Sequence, residues 1–253
     1  MERRLILDAV RRDGMQLGST EEKYKDDPDI VFAAVTQNGE ALQFASDKQR
    51  SNKQVVLAAV QQDGSALADV APRSGLDDDP EICLAAVQNA PWALQYASDR
   101  VRQCTRVVTA AVSIDASALQ YAMGDVLKSH EVVRAAASNN GFLALWHADA
   151  SIQSNEAIVR SALGQNSLAL GAASDKLCAS KPLVLFAIEA APRGLALMYA
   201  DEALRDDKEV SDHNPPSFLP HLGRPPTLMP LRSLRSRIIA DCAPRRPLRC
   251  GSF

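Results

Sequence analysis

Three pairs of adjacent acids, Asp26–Asp27, Asp78–Asp79 and Asp206–Asp207, are the first residues that could do chemistry. Paired carboxylates divide acid and base roles when their surroundings push their pKa values apart. Cys104 is the second candidate. It opens the stretch "CTRVVTAAV", and a thiol at a helix start can be held as a reactive thiolate. His130 and His147, imidazoles of the type that serves as acid, base or metal ligand, are the third. Trp92 and Phe142 are candidates of another kind, large rings of the sort that anchor protein interfaces. None of the ionisable candidates has the company a reaction needs. No histidine has a cysteine or acid partner at ligand spacing, and there is no phosphate-binding glycine loop, no G-x-S-x-G and no zinc signature.

What positions these residues is a repeat. Residues 78–99 read "DDPEICLAAVQNAPWALQYASD", and related stretches occupy residues 30–47, 55–71, 107–122 and 158–175. Weaker copies begin at Leu5, Val132 and Leu183. The residue closing each "AAV" serves as a marker: Val10, Val35, Val60, Val87, Val112, Ala137, Leu163 and Ile188, spaced by 25 to 27 residues. A period in this range signals a stacked array. Alanine precedes every marker, and each copy opens on two apolar residues such as Ile82 and Cys83. That spacing draws one face of a helix rather than a strand.

Helix-start chemistry precedes the apolar pair. Asp27, Asn52, Asp79, Ser129, Asn155 and Ser180 accept hydrogen bonds from free N–H groups there, and Pro28 and Pro80 fit the first helical position. Asp13, Asn38, Asp63, Asn89, Asp115, Asn140 and Asn166 mark the helix ends. A second apolar group follows, as in Leu42, Phe44 and Ala45 or Leu94, Tyr96 and Ala97. The pattern predicts hairpins of about ten plus eight helical residues, too short to hold alone. It therefore predicts an all-α fold, an α-solenoid of about eight short helical hairpins over residues 1–210. Copies six and eight carry one or two extra residues, expected between the helices.

The repeat reassigns most of the candidates. The acid pairs recur at helix starts, where carboxylates suit the positive helix end, so they are expected to cap. Cys104 stands where other copies hold a capping residue. It is expected to be a poor cap, with a reactive thiol as the alternative. Cys83 occupies a valine position and is expected in the core. His147 falls in the slot of Phe44, Tyr96 and Tyr121, which predicts a packed ring, while His130 sits at the position of Pro28 and Pro80 and is expected in solvent. Trp92 and Phe142 open second helices, where packing on the neighbouring hairpin competes with a partner-binding role.

The stretches "DDPEICLAAVQNAPWALQYASD", "DIVFAAVTQNGEALQFASDK" and "ADEALRDDKEV" resemble a known helical repeat, the family numbered 4116 among the domains of unknown function. The resemblance spans about residues 5–210 and is most specific at the AAV, Asx-Gly and ALQYAS positions. It implies the helical repeat fold and supplies no catalytic residue, activity or cofactor.

After Val210 the pattern stops. Residues 211–253 hold eight of the 14 prolines, seven arginines, no lysine and two acids. The remainder carries 21 basic and 29 acidic side chains. The abrupt break inside a helix predicts a tail read in a different frame. The alternative is a genuine basic tail, disordered apart from "LRSLRSRIIADC", where Leu231, Leu234, Ile238 and Ile239 share a helical face. The chain also begins inside a repeat, as a fragment of a longer array would. Five cysteines without regular spacing, no signal peptide and no membrane-length apolar run predict a reducing, cytoplasmic setting. The expected function is a non-enzymatic scaffold with a protein partner, no cofactor and no nucleic acid. The alternative is a fragment or frameshifted remnant with no independent function.

Overall fold

Asp27 shows how one repeat begins. Its carboxylate accepts the N–H groups of Asp29 and Ile30 at 3.1 and 3.3 Å, and Pro28 supplies the first helical φ. Ile30, Val31, Ala34 and Val35 then fill one face and are fully buried. The same construction recurs along the computed structural model, which describes residues 2–190 and 195–213. Among these residues every regular element is helical. The longer helices are α1 (Glu2–Arg12), α2 (Pro28–Gln37), α3 (Lys53–Gln62), α4 (Pro80–Asn89), α5 (Thr105–Ile114), α6 (His130–His147), α7 (Glu156–Gln165) and α8 (Lys181–Ala190), followed by the short α9 (Lys208–Asp212). None is long and apolar enough to cross a membrane.

The return segment differs from the expected eight-residue helix. It is a six-residue 3-10 helix, as in Gly39–Phe44, Gly64–Asp69, Pro91–Tyr96 and Ala116–Tyr121. One Asx residue serves both segments. Asn38 donates its backbone N–H to Ala34 O, closing α2, while its side chain accepts from Glu40 N at 3.0 Å and starts the 3-10 turn. With that start and the buried Ala45 at the far end, six residues make two tight turns. In the α4 repeat Ala90 takes the Asx place with no side-chain bond, and Pro91 opens the turn. Asn89 is the last residue of that helix, as expected, and its side-chain amide reaches back to the carbonyls of Gln61 and Gln62 at 3.0 Å each.

A third segment was not expected at all. Glu22–Lys25, Asp47–Arg50, Ala150–Gln153, Asp175–Cys178 and Glu202–Arg205 are single α-turns, and Leu76–Asp78, Val101–Gln103 and Gly124–Lys128 are 3-10 counterparts. Each repeat is therefore three helical segments rather than a hairpin.

The extra residue of copy six lies inside the return segment, not between the helices. Asn140 breaks α6 with φ −150° and ψ 102°, and Ala148 closes the return turns. Gly141–His147 is thus one residue longer than Gly39–Phe44 and is α-helical. Two α-turns consume about seven residues where two 3-10 turns consume about six. The extra residues expected in copy eight lie outside the described residues.

Successive long helices pack on one another, α1 on α2, α2 on α3, and so on to α8. A single backbone bond pins each junction: Ser46 N donates to Lys25 O, Ala71 N to Arg50 O, Ser98 N to Asp77 O, and Asp149 N to Leu127 O. Gly39 shows how close the backbones come, since a Cβ there would lie 2.5 Å from Ala59 O of the next repeat. Ser211 and Asp212 continue α9 beyond Val210. His213 caps that helix, and residues 214–253 lie outside the described residues.

Candidate binding surface

Five of the six paired acids bind a cation or a hydroxyl of a neighbouring segment. Asp27, besides capping α2, takes Arg3 of the preceding repeat at 2.6 Å. Asp26 points forward to the Ser46 hydroxyl at 2.7 Å and Lys48 Nζ at 3.0 Å. Asp79 likewise holds Lys53 at 2.8 Å, while Asp78 holds Ser98 and Arg100. Asp207 holds Lys181 at 2.9 Å. The Arg100 guanidinium and Ser98 hydroxyl keep Asp78 below the usual carboxylate range, and Lys53 does the same for Asp79. A general acid needs a raised pKa, whereas Asp26, Asp27, Asp78, Asp79 and Asp207 are all held low by the hydroxyls and cations they bind.

Cys104 is the N-cap of α5, half-buried, and its side chain makes no capping bond. Cys83 is fully buried as expected, donates to Asp77 O at 3.2 Å, and burial pushes its thiol up to about 12. Cys178 is also buried, its thiol against Leu170 O at 3.3 Å and pushed up to about 11. Cys242 and Cys250 lie outside the described residues. His147 occupies the last position before the closing alanine, as Phe44 and Tyr96 do, and burial lowers its pKa. His130 is exposed at the first position of α6. Among the described residues no cluster could hold a metal ion.

Trp92 is 42% exposed and meets Tyr96 edge-on, ring centroids 6.1 Å apart. Phe142 is half-buried and stacks on Trp146 at 5.6 Å. Each ring packs within its own return segment, two repeats apart, so the structure does not gather them into one patch.

The surface that does run across repeats lies on the long helices. Leu7 of α1, Phe32 of α2, Leu57 of α3 and Leu84 of α4 occupy the same place, three residues before the marker. Phe32 is 47% exposed and the three leucines are half-buried. A groove of about 790 Å³ spans α1, α2 and α3 here, lined by Leu7, Arg11, Phe32, Thr36, Gln37 and Gln54 among others. At the corresponding place α5, α6 and α7 carry Thr109, Arg134 and Arg160. None of the four apolar residues was singled out from the sequence, although aligning the copies on their markers exposes the row.

The family model described as domain of unknown function (DUF4116) matches residues 3–50 and 79–128. Each matched stretch covers two consecutive repeats, α1 with α2 and α4 with α5. No curated protein and no solved structure matches the chain.

Proposed function

We propose that the chain is a non-enzymatic α-solenoid scaffold of eight repeats that binds a protein partner along the face of α1 to α4. The observation that carries this reading is the row Leu7–Phe32–Leu57–Leu84. Four partly exposed apolar side chains stand in one register across four packed helices, and the groove along α1 to α3 is lined by Leu7 and Phe32 among them. Stacked repeats present extended surfaces of this kind. An apolar strip rimmed by polar groups such as Thr36 and Gln54 is the usual form of an interaction site.

The assignment of other groups supports a binding role. The acid pairs are committed to caps and cations, and the Cys83 and Cys178 thiols are buried and protonated at neutral pH. Free cysteines suit a reducing, cytoplasmic setting. The reading needs no cofactor and no nucleic acid.

Pull-down from cell extract at high salt with the wild-type chain and with Phe32→Glu tests it. A protein retained by the wild type and lost with the variant is the expected result. Partners kept equally by both would overturn the assignment of this face. Solution scattering from a compact sphere rather than an elongated particle would overturn the solenoid.

A further inference from the structure

Three junctions neutralise their cations from within. Arg3, Lys53 and Lys181 each lie against two acids of the next repeat, its cap and the residue two places on. The junction of α6 with α7 is built differently. His130 holds the place of the cation, but the following cap is Asn155 and the residue two places on is Ala157. Arg134, one turn along α6 from His130, has no ion pair or side-chain hydrogen bond among the described residues. Its counterpart on α7, Arg160, is met at 3.4 Å by Glu156, which holds on α7 the place of His130. The arginine of α6 therefore lacks both the acids of the other junctions and the internal counter-ion of its neighbour.

His130 and Arg134 border a groove of about 310 Å³ between α6 and α7. Asn155 and Ser161 complete its polar lining, and Ala137, Ala157 and Ile158 its apolar lining. No acid lines it, whereas the α1–α3 groove contains Asp29 as well as Arg11. Asn155 Oδ1 accepts the N–H groups of Ala157 and Ile158 at 3.1 and 3.3 Å, which leaves its amide N–H groups to donate. Guanidinium, imidazole, carboxamide and hydroxyl thus all offer donors to one cavity.

We propose that the α6–α7 groove binds a small organic oxyanion, a phosphate or carboxylate carried on an apolar body. The oxyanion takes the place that the two acids of the next repeat hold at the other junctions. Arg134 presents a planar fork that matches either group, and His130, Asn155 and Ser161 supply further donors. The positive end of α7 favours the same charge. The apolar body lies on Ala137, Ala157 and Ile158. The volume is larger than a bare oxyanion needs and sits at the lower end of small-molecule sites, about 300 Å³. The site goes beyond the scaffold reading and uses none of the α1 to α4 face.

Calorimetric titration of the full-length chain with phenyl phosphate, benzoate, phenol and inorganic phosphate provides the test. At least one of the two aromatic anions should bind one to one, at least tenfold more tightly than phenol or inorganic phosphate. The tighter of the two distinguishes a phosphate from a carboxylate site. Arg134→Gln should weaken that binding at least tenfold and leave the melting temperature unchanged, because Arg134 bears on no other group. Arg106→Gln removes an exposed arginine of α5 outside the groove and should change nothing. Ala157→Glu supplies the acid that Glu81 and Glu209 supply elsewhere, and should abolish binding without lowering the melting temperature. Equal weakening by Arg106→Gln would mean general attraction to surface charge and overturn the proposal. So would binding that survives Ala157→Glu, inorganic phosphate binding as tightly as phenyl phosphate, or no binding of either aromatic anion at millimolar concentration.

Discussion

Lys53 Nζ lies 2.8 Å from the Asp79 carboxylate one repeat further on, and 2.7 Å from Glu81 beside it. The same triangle joins Arg3 to Asp27 and Asp29, and Lys181 to Asp207 and Glu209. Elsewhere the place of the cation is held by Pro28, Pro80, Thr105, His130 or Glu156, and the following cap is Asn52, Cys104, Ser129, Asn155 or Ser180. Aspartate caps a long helix only where the preceding repeat supplies a cation. Asn and Asp satisfy helix N–H groups about equally well. The charge of a partly buried Asp is the difference, and it calls for a counter-ion.

Neutralising either member should therefore uncouple the junction. Lys53→Met and Asp79→Asn should each lower the urea midpoint, and the double variant should lose less than the two losses combined. The coupling should shrink in high salt, because the pair is partly exposed. Lys53 lowers the Asp79 pKa, so its stabilisation is present above the unfolded value of about 3.9 and is lost as pH falls through the lower folded value. Asp79→Asn should lack that component of acid destabilisation. Additive losses in the double variant would refute the coupling.

Cys104 follows Pro80, a junction with no cation, and its thiol leaves the α5 start without a side-chain cap. Cys104→Ser should raise stability by about 0.5–1 kcal/mol, the ordinary worth of a hydroxyl cap. Thiol labelling in a chain with Cys242 and Cys250 replaced by serine should modify Cys104 in the native state. Cys83 and Cys178 should react only on unfolding, since burial holds them protonated. Native-state modification of Cys83 at the rate of Cys104 would contradict the packing described.

Gly39 and Ala116 hold the same place after the Asx cap, yet the structure treats them differently. A Cβ on Gly39 would press on Ala59 O at 2.5 Å, whereas Ala116 already carries one and is fully buried. Gly39→Ala should cost about 1–3 kcal/mol through overpacking of that junction. Ala116→Gly should cost nearer 1 kcal/mol, chiefly through backbone freedom. Equal costs in urea unfolding would mean that the two junctions are not distinguished by backbone approach.

The parts that sequence reading reached are those written as periodic apolar positions. The buried faces of α2 through α8, the caps at Asp27 and Asp79 and the core place of Cys83 all follow from spacing and residue type. The return segment was misjudged because "EALQFA" is too short for a 3.0- and a 3.6-residue period to diverge. The single turns such as Asp47–Arg50 have no period to detect. The Lys53–Asp79 pairing and the Phe32 row needed comparison between repeats rather than within one. Both signals were in the sequence, 26 residues apart in the first case and at a constant offset from the marker in the second.

Asp69 is a half-buried carboxylate in a place that other repeats give to a ring. It holds the place that Phe44, Tyr96 and Tyr121 fill in other copies, just before the closing apolar residue of its return segment. Burial raises its pKa, Glu40 adds to the rise, and Arg50 only partly offsets them. A raised folded pKa means that the folded chain binds the proton more tightly than the unfolded chain. The wild type is therefore favoured below the unfolded value of about 3.9 and loses that advantage as pH rises through the higher folded value. Asp69→Asn removes the titration. It should raise the thermal midpoint at neutral pH, and the gain should fade as the solution is acidified towards pH 3. This is opposite in sign to Asp79→Asn, which should cost stability at neutral pH. Melting both variants across the acid range separates the two carboxylates, and a neutral-pH loss on Asp69→Asn would show that its charge is stabilising after all.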